Sequence, residues 1–265
     1  MNFTLDDNLK ISYLKNIFGL LKNLTEIIRF DLKLDHIYIQ GLDKSHICLY
    51  ELKLYSDWFD KYNIEGNNSL TIAINLNTLY TIFNIHQSSQ NLSVYYNTDT
   101  EKLGIQFVTV TEKKEDINKT FEIPSIDLDA DFMDIPTTDY SLNFTISSKI
   151  FNDLIAQFSI FGDNLDIKSE KNQENQEQIV LSTSGDKCSM NSNINLEDLA
   201  EYEFDSDVII DLTFGLKILS SIITSKISSN VNIYISNNIP IKIKYNLGNN
   251  SYLDFYAAPK VKDED

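Results

Sequence analysis

The most constraining feature of this 265-residue chain is a pattern that occurs twice. Four stretches, about 8–25, 76–86, 148–161 and 213–226, repeat apolar residues at three-four spacing and read as amphipathic helices. The first and third begin about 136 residues apart, and so do the second and fourth, which is the self-similarity of a duplicated unit. Leu76 and Leu212 are each expected to open a helix after a β-rich run, Leu70-Thr71-Ile72-Ala73-Ile74 in one half and Val208-Ile209-Ile210 in the other. Between helices the residues alternate, as in Leu92-Ser93-Val94-Tyr95 and Val231-Asn232-Ile233-Tyr234-Ile235, which is the period of half-buried strands. Two helices per half cannot cover both faces of so many strands. Each half is therefore expected to lay both helices on one face of antiparallel sheet, an α+β class with two similar domains at 1–120 and 141–265.

The segment between them, 121–140, carries Asp127, Asp129, Asp131, Asp134 and Asp139, and Pro124 and Pro136 make it a poor ladder strand. A connector of this length in a compact chain is either functional or disordered. The polar run 169–178 reads as a mobile loop. No apolar run approaches the length of a membrane span, and the N-terminus lacks a signal-peptide pattern. Cys48 and Cys188 lie far apart and suggest a reduced, intracellular protein without a disulfide framework. Heavy use of Asn, Ile and Lys suggests an AT-rich genome.

The formal charge of −17 argues at first against a nucleic-acid partner, because phosphate binding is driven by cations. Distribution reverses that argument. Leu14, Ile17, Phe18, Leu21 and Leu24 stripe the first helix, with Ser12, Lys15, Asn16, Gly19, Lys22 and Asn23 opposite. The third is expected to bury Ile150, Phe151, Leu154, Ile155 and Phe158, and the fourth Leu216, Leu219, Ile222 and Ile223. Although 39 of the 265 residues are acidic, Asp153 is the only acid in all four segments, against Lys10, Lys15, Lys22, Lys149, Lys217 and Lys226. An acidic chain that keeps acids off four helical surfaces is preparing a face for a polyanion.

Three stretches then carry a resemblance. Residues 35–62 read as two strands, Ile37-Tyr38-Ile39 and Ile47 to Leu54, joined by the polar connector 41–46 with Leu42 exposed at the bend. Here Gln40, Asp43, Ser45, His46, Ser56, Phe59 and Tyr62 recur at the spacing of the first domain of eukaryotic sliding clamps. The run Phe132-Met133-Asp134-Ile135-Pro136, followed by Asp139-Tyr140, is similar to their interdomain connecting loop. The C-terminal Tyr256-Ala257-Ala258-Pro259-Lys260-Val261, with Asp263-Glu264-Asp265 beyond it, is similar to their Tyr-Leu-Ala-Pro-Lys and acidic tail. Together these resemble the proliferating cell nuclear antigen (PCNA) family of DNA sliding clamps.

The resemblance implies a non-enzymatic ring of three identical two-domain subunits that encircles duplex DNA, with helices lining the hole. It implies that the ring tethers DNA polymerase and other replication and repair proteins and is placed on DNA by a clamp loader. Lys15, Lys22, Lys149 and Lys217 are then expected to face the hole, with Lys10 and Lys226 nearer its rims. Edge strands at about 118–123 and 189–195 are expected to close it. Leu42, His46, Ile47, Met133, Ile135, Pro136, Pro240, Tyr256, Ala257, Ala258 and Pro259 are expected to form the pocket for a Gln-x-x-aliphatic-x-x-aromatic-aromatic peptide, the PIP box. Relatives carry lysines where Thr81 and Asn84 stand, and basic residues where Ala156 and Ile160 stand, so the hole should be less positive than usual. Ala257 and Met133 replace leucines and should leave a roomier pocket.

Other chemistry is set aside. Asp127-x-Asp129-x-Asp131 lacks the Gly and Glu that a calcium loop needs at positions now Phe132 and Thr138. His36, His46 and His86 adjoin no Cys cluster, and no Gly-rich phosphate motif occurs. No cofactor, metal, catalytic group or membrane partner is expected. Two alternatives stay open: a subunit of a hetero-oligomeric checkpoint clamp, and a monomeric viral processivity factor. The expected location is the nucleus for a cellular protein, and the host nucleus or a cytoplasmic factory for a viral one.

Overall fold

A computed structural model describes residues 1–64, 70–110, 117–128, 132–171, 177–199, 201–205 and 207–261. Asp129, Asp131, the centre of the polar run at 172–176 and the acidic tail at 262–265 lie outside the described residues. The chain forms two compact units. One comprises Met1–Lys44, Glu51–Met133 and Leu247–Tyr252, the other Ser45–Tyr50, Asp134–Asn246 and Leu253–Asp265.

The first half of the chain holds β1 (Asn2–Leu5), α1 (Asn8–Leu21), β2 (Ile27–Leu32), β3 (His36–Leu42), β4 (Cys48–Tyr55), β5 (Lys61–Asn63), β6 (Leu70–Asn75), α2 (Leu76–Phe83), β7 (Gln90–Asn97), β8 (Lys102–Thr109) and β9 (Lys119–Pro124). The second half holds β10 (Leu142–Ser147), α3 (Ser148–Phe161), β11 (Asn164–Lys171), β12 (Glu177–Ser184), β13 (Ser189–Asn195), β14 (Tyr202–Phe204), β15 (Asp211–Gly215), α4 (Leu216–Ile222), β16 (Asn230–Ile235), β17 (Ile241–Gly248) and β18 (Ser251–Ala257). Element for element the two orders are the same. Strand neighbours run β5-β1-β7-β8-β9 and β4-β3-β2-β6 in the first set, and β14-β10-β16-β17-β18 and β13-β12-β11-β15 in the second. Helix starts repeat at 140 residues, from Asn8 to Ser148 and from Leu76 to Leu216.

The period-two alternation explains the layering. In the first unit Phe30, Ile37, Ile39, Leu52 and Ile72 from one sheet, Phe3, Val94 and Ile105 from the other, and Leu14, Phe18, Leu79 and Phe83 from the helices line one apolar interior. Phe18 meets Phe83 edge-on at 5.0 Å, which fixes α1 against α2. In the second unit Phe144, Phe151, Phe158, Leu165, Leu219, Ile233 and Tyr245 are buried in the equivalent place. Removing this much apolar surface from water is the main stabilising term in each unit.

Several boundaries differ from expectation. α1 ends at Leu21, and Leu24 is buried beyond the helix. Leu212 does not open a helix. It sits in β15, where Leu212 pairs with Ile167 and Phe214 with Leu165, so α4 begins four residues later. Apolar residues at 212, 214, 216 and 219 satisfy both periods locally, and the ladder with β11 decides between them. α4 then stops because the Thr224 N–H donates to the Tyr245 hydroxyl (2.9 Å) instead of continuing the helix. Ile150 is 56% exposed rather than buried, and Leu154 is half-buried. Residues 121–124 of the expected connector belong to β9, whose last residue, Pro124, pairs with Lys102 at a position where a missing N–H is tolerated.

Candidate functional site

The helices come first, because they hold the charge pattern. α1 is capped by Asp7, whose carboxylate accepts from the Leu9 N–H at 2.8 Å, and α2 by Asn75, which accepts from Thr78 at 2.9 Å. Side chains opposite the buried stripe are Ser12, Lys15, Asn16, Gly19 and Lys22 on α1 and the exposed Asn77 and Thr81 on α2, with Asn84 just beyond its end. Tyr80 of α2 leans into the gap at Gly19, where an added Cβ would stand 2.8 Å from its ring. The Lys22 ammonium sits over the same ring, 4.1 Å from its centroid. Lys10 is engaged elsewhere: its ammonium donates to the Trp58 carbonyl at 2.7 Å and lies 5.5 Å from the indole. A basic residue missed from sequence, Lys119 of β9, donates to Gln87 at 3.0 Å just past α2.

In the second unit α3 packs on α4, with the Ser159 and Ser220 hydroxyls 2.9 Å apart. Lys149 and Lys217 are exposed on these helices, and Lys226 is exposed beyond α4. Asp153, also exposed, is the only acid on the four helices.

The connector is held to the first unit by hydrogen bonds to its backbone at Ser125, Ile126 and Met133. Ile126 donates its N–H to the Ala73 carbonyl of β6 at 2.7 Å. Further on, Gln40 of β3 grips the backbone of Met133 from both sides: Nε2 donates to the Met133 carbonyl (2.8 Å), and Oε1 accepts from the Met133 N–H (2.7 Å). The other Nε2 hydrogen goes to the Tyr38 hydroxyl (3.1 Å), which itself donates to Glu51 (2.9 Å). That chain fixes which way the amide points. Burial first, and Glu51 second, push the Tyr38 phenol far above its usual range, so it stays a donor. Phe132 lies beside Tyr38 (5.2 Å, edge-on) and under the guanidinium of Arg29, the chain's only arginine, at 4.2 Å. Met133 keeps its side chain exposed, while Leu42 is half-buried at the end of β3.

Within the second unit, the Ala258 N–H donates to the Ile47 carbonyl at 3.0 Å, and the Lys260 N–H donates to the Thr213 carbonyl at 2.7 Å. His46, Ile47, Ala258 and Pro259 are thereby brought together, with His46 in the left-handed region (φ 58°) and Ile47 exposed. Ile135 is half-buried, and Pro136 and Pro240 are exposed. Ala257 is fully buried and offers no free surface. Tyr256 is half-buried beside Lys242, which pairs with the buried Asp254 at 2.7 Å and lies 5.3 Å from the Tyr256 ring and 5.6 Å from Tyr234. Tyr140, at the end of the connector, packs on Tyr234 at 5.6 Å, and burial with the Asp254 charge pushes its phenol up to about 12. None of Arg29, Tyr38, Phe132, Tyr140, Tyr234 or Lys242 was singled out as a site residue from sequence. The signals in the sequence were the spacing around Gln40 and the connector run that contains Phe132 and Tyr140.

Six strands end sheets among the described residues, β5, β6, β9, β13, β14 and β15, and two of them are the edges expected from the resemblance. β9 borders β8 alone, and β13 borders β12 alone. Near β9 stand the exposed Ile85, Val110 and Ile117. On α3, which packs against β13, Ile150 and Phe161 are exposed.

Models of the N-terminal and C-terminal domains of proliferating cell nuclear antigen match residues 6–132 and 134–260. The chain belongs to the proliferating cell nuclear antigen family. It is 26% identical over 260 residues to proliferating cell nuclear antigen of Chaetomium thermophilum, covering 96% of each chain. Its fold matches a chain of the PCNA2–PCNA3 complex of Sulfolobus tokodaii with a TM-score of 0.82 at 22% identity, over 98% of this chain and 99% of that one. The duplicated α+β units are thus the two PCNA domains, and the protein is a non-enzymatic DNA sliding clamp of the replication machinery. Among the described residues no group of three His, Cys, Asp or Glu side chains could hold a metal, and no helix is long and apolar enough to cross a membrane.

Proposed function

We propose that this clamp is a homotrimeric ring that encircles duplex DNA and tethers polymerase and other PIP-box proteins. The observation that carries the ring is that β9 and β13 each border a single strand, and the duplication suggests that they pair between copies. In the repeat β9 takes the place of β18, and β13 the place of β4. Within the second unit the residue after β18, Ala258, already meets the residue before β4, Ile47, backbone to backbone. Free edges of the same two kinds, each flanked by exposed apolar residues, suit a head-to-tail contact between copies that closes. Lys15, Lys22, Lys149 and Lys217 supply cations on otherwise acid-poor helices, a sequence-independent attraction to phosphates. Tethering is assigned, residue by residue, to Leu42, His46, Ile47, Met133, Ile135, Pro136, Pro240, Tyr256, Ala258 and Pro259; of these Ile47, Met133, Pro136, Pro240 and Ala258 are exposed, and exposed apolar groups suit a peptide with aliphatic and aromatic plugs. A loader would be needed to open a closed ring, and the nucleus is the working place of such a clamp in a cell.

The test is solution mass. A species of three times 30.5 kDa is expected from the purified chain alone. A monomer at micromolar concentration would instead favour a hetero-oligomeric ring, as the two-component name of the Sulfolobus complex illustrates for that protein, or a monomeric viral-type factor. The pocket is tested separately by titrating a PIP-box peptide. Micromolar binding to the wild type, lost in an Ile135→Ala, Pro259→Ala double variant, is expected. Equal binding to both would place the pocket elsewhere.

A further inference from the structure

We propose that Arg29, Tyr38 and Gln40 are positioning residues for partner capture: they latch Phe132 and Met133, and the latch sets where the following segment, 134–140, starts its run. This rests on the reading of that segment as partner-binding.

Three features separate this contact from ordinary loop packing. The Gln40 amide satisfies both the N–H and the C=O of one connector residue, Met133, so it recognises backbone and holds it in one orientation. The amide itself is oriented by Tyr38, and Tyr38 by Glu51, so the grip is braced from the sheet. Arg29 adds the third. Among the described residues its buried Nε has no hydrogen-bond partner, and the ring face of Phe132 is the contact found for the guanidinium. Arg29 and Asp31 share a face of β2, and Asp31 pairs with Tyr38 on β3. The face opposite carries Phe30, Ile37 and Ile39 into the interior. The latch therefore stands on the side of the sheet away from α1 and α2.

A segment held at one position binds a peptide without first being ordered. If loss of the latch left the competent position populated about one-tenth of the time, apparent affinity would fall about tenfold.

The experiment uses the full-length clamp as wild type, Gln40→Met, Phe132→Ala and Phe132→Tyr. In the free proteins, hydrogen exchange at the Met133 amide should accelerate in Gln40→Met and Phe132→Ala, while Phe132→Tyr, which keeps a ring under Arg29, stays near wild type. Core amides of β2 and β3 should exchange as before, showing that the unit is still folded. With a synthetic PIP-box peptide, Gln40→Met and Phe132→Ala should bind about tenfold more weakly, mainly through slower association. Unchanged exchange at Met133 in both variants would overturn the latch, whatever the peptide does. Faster exchange with unchanged affinity would overturn the positioning role. Failure of the peptide to bind even wild type would remove the partner reading, and with it the positioning role, while the exchange data would still report whether the latch exists.

Discussion

Gly19, Lys22 and Tyr80 show how one small residue organises a charged surface. Tyr80 reaches across from α2 because position 19 has no side chain, and the ring then carries the Lys22 ammonium. Alanine is favoured over glycine inside a helix by about 1 kcal/mol. Gly19→Ala should therefore stabilise a Tyr80→Ala background by about that amount, yet gain clearly less in wild type, where the new methyl meets the ring. Urea midpoints of the four-member cycle measure the coupling, and equal gains in both backgrounds would show that the ring does not rest on Gly19. Histidine gives a pH test at the same scale. Burial lowers the pKa of His36 and of His86, with Lys15 and Lys119 adding to the shift at His86. The unfolded chain therefore binds these protons more readily than the native one. Stability should be full above the ordinary imidazole range, about pH 6.5, and fall as pH drops below it. Melting temperatures at pH 7 and pH 5 should differ less in His86→Gln than in wild type, and an identical drop would remove His86 from the effect.

At the scale of elements, the free edges of β9 and β13 matter most. A proline within either strand removes a backbone donor and obstructs pairing on that side. Thr120→Pro and Asn193→Pro should each yield folded monomers, read as a threefold fall in mass with near-native circular dichroism. If both remain trimeric, the closing contact lies elsewhere. The exposed Ile150 and Phe161 on α3 belong to the same argument. An isoleucine at three-four spacing reads as core from sequence, yet this one is 56% exposed. Aspartate at Ile150 should leave the melting temperature of the monomer nearly unchanged while weakening assembly, because a charge buried at an interface costs several kcal/mol unless paired.

For the whole molecule, the formal charge of −17 and a DNA partner are compatible because the four helices hold one acid between them. Attraction need not be strong when a ring is closed around its ligand, so few lysines suffice. Reversing Lys15, Lys22 and Lys217 together to glutamate should abolish stimulation of synthesis on long templates at physiological salt, with the oligomer mass unchanged. Unaltered processivity would remove these lysines from the mechanism. Lys10 is left out of that set because its ammonium is already bonded to the Trp58 carbonyl.

The sequence by itself determined whatever is written in local periodicity and spacing: the duplication, the α+β class, the four helices, their acid-poor faces and the family motifs. Each of these is a regularity among residues close together in the chain, where a helix or strand imposes its own period on which side chains meet water. The tertiary structure alone decided the rest. Gln40 and Met133 are 93 residues apart in sequence, and Lys10 and Trp58 are 48 apart. No local pattern distinguishes a glutamine that grips a distant backbone from one that faces water, or a lysine aimed outward from one turned back onto a carbonyl. The start of α4 depended in the same way on β11, a ladder partner more than forty residues earlier in the chain. Such contacts are set by which elements pack together, and so they are legible only once the strands have found their neighbours.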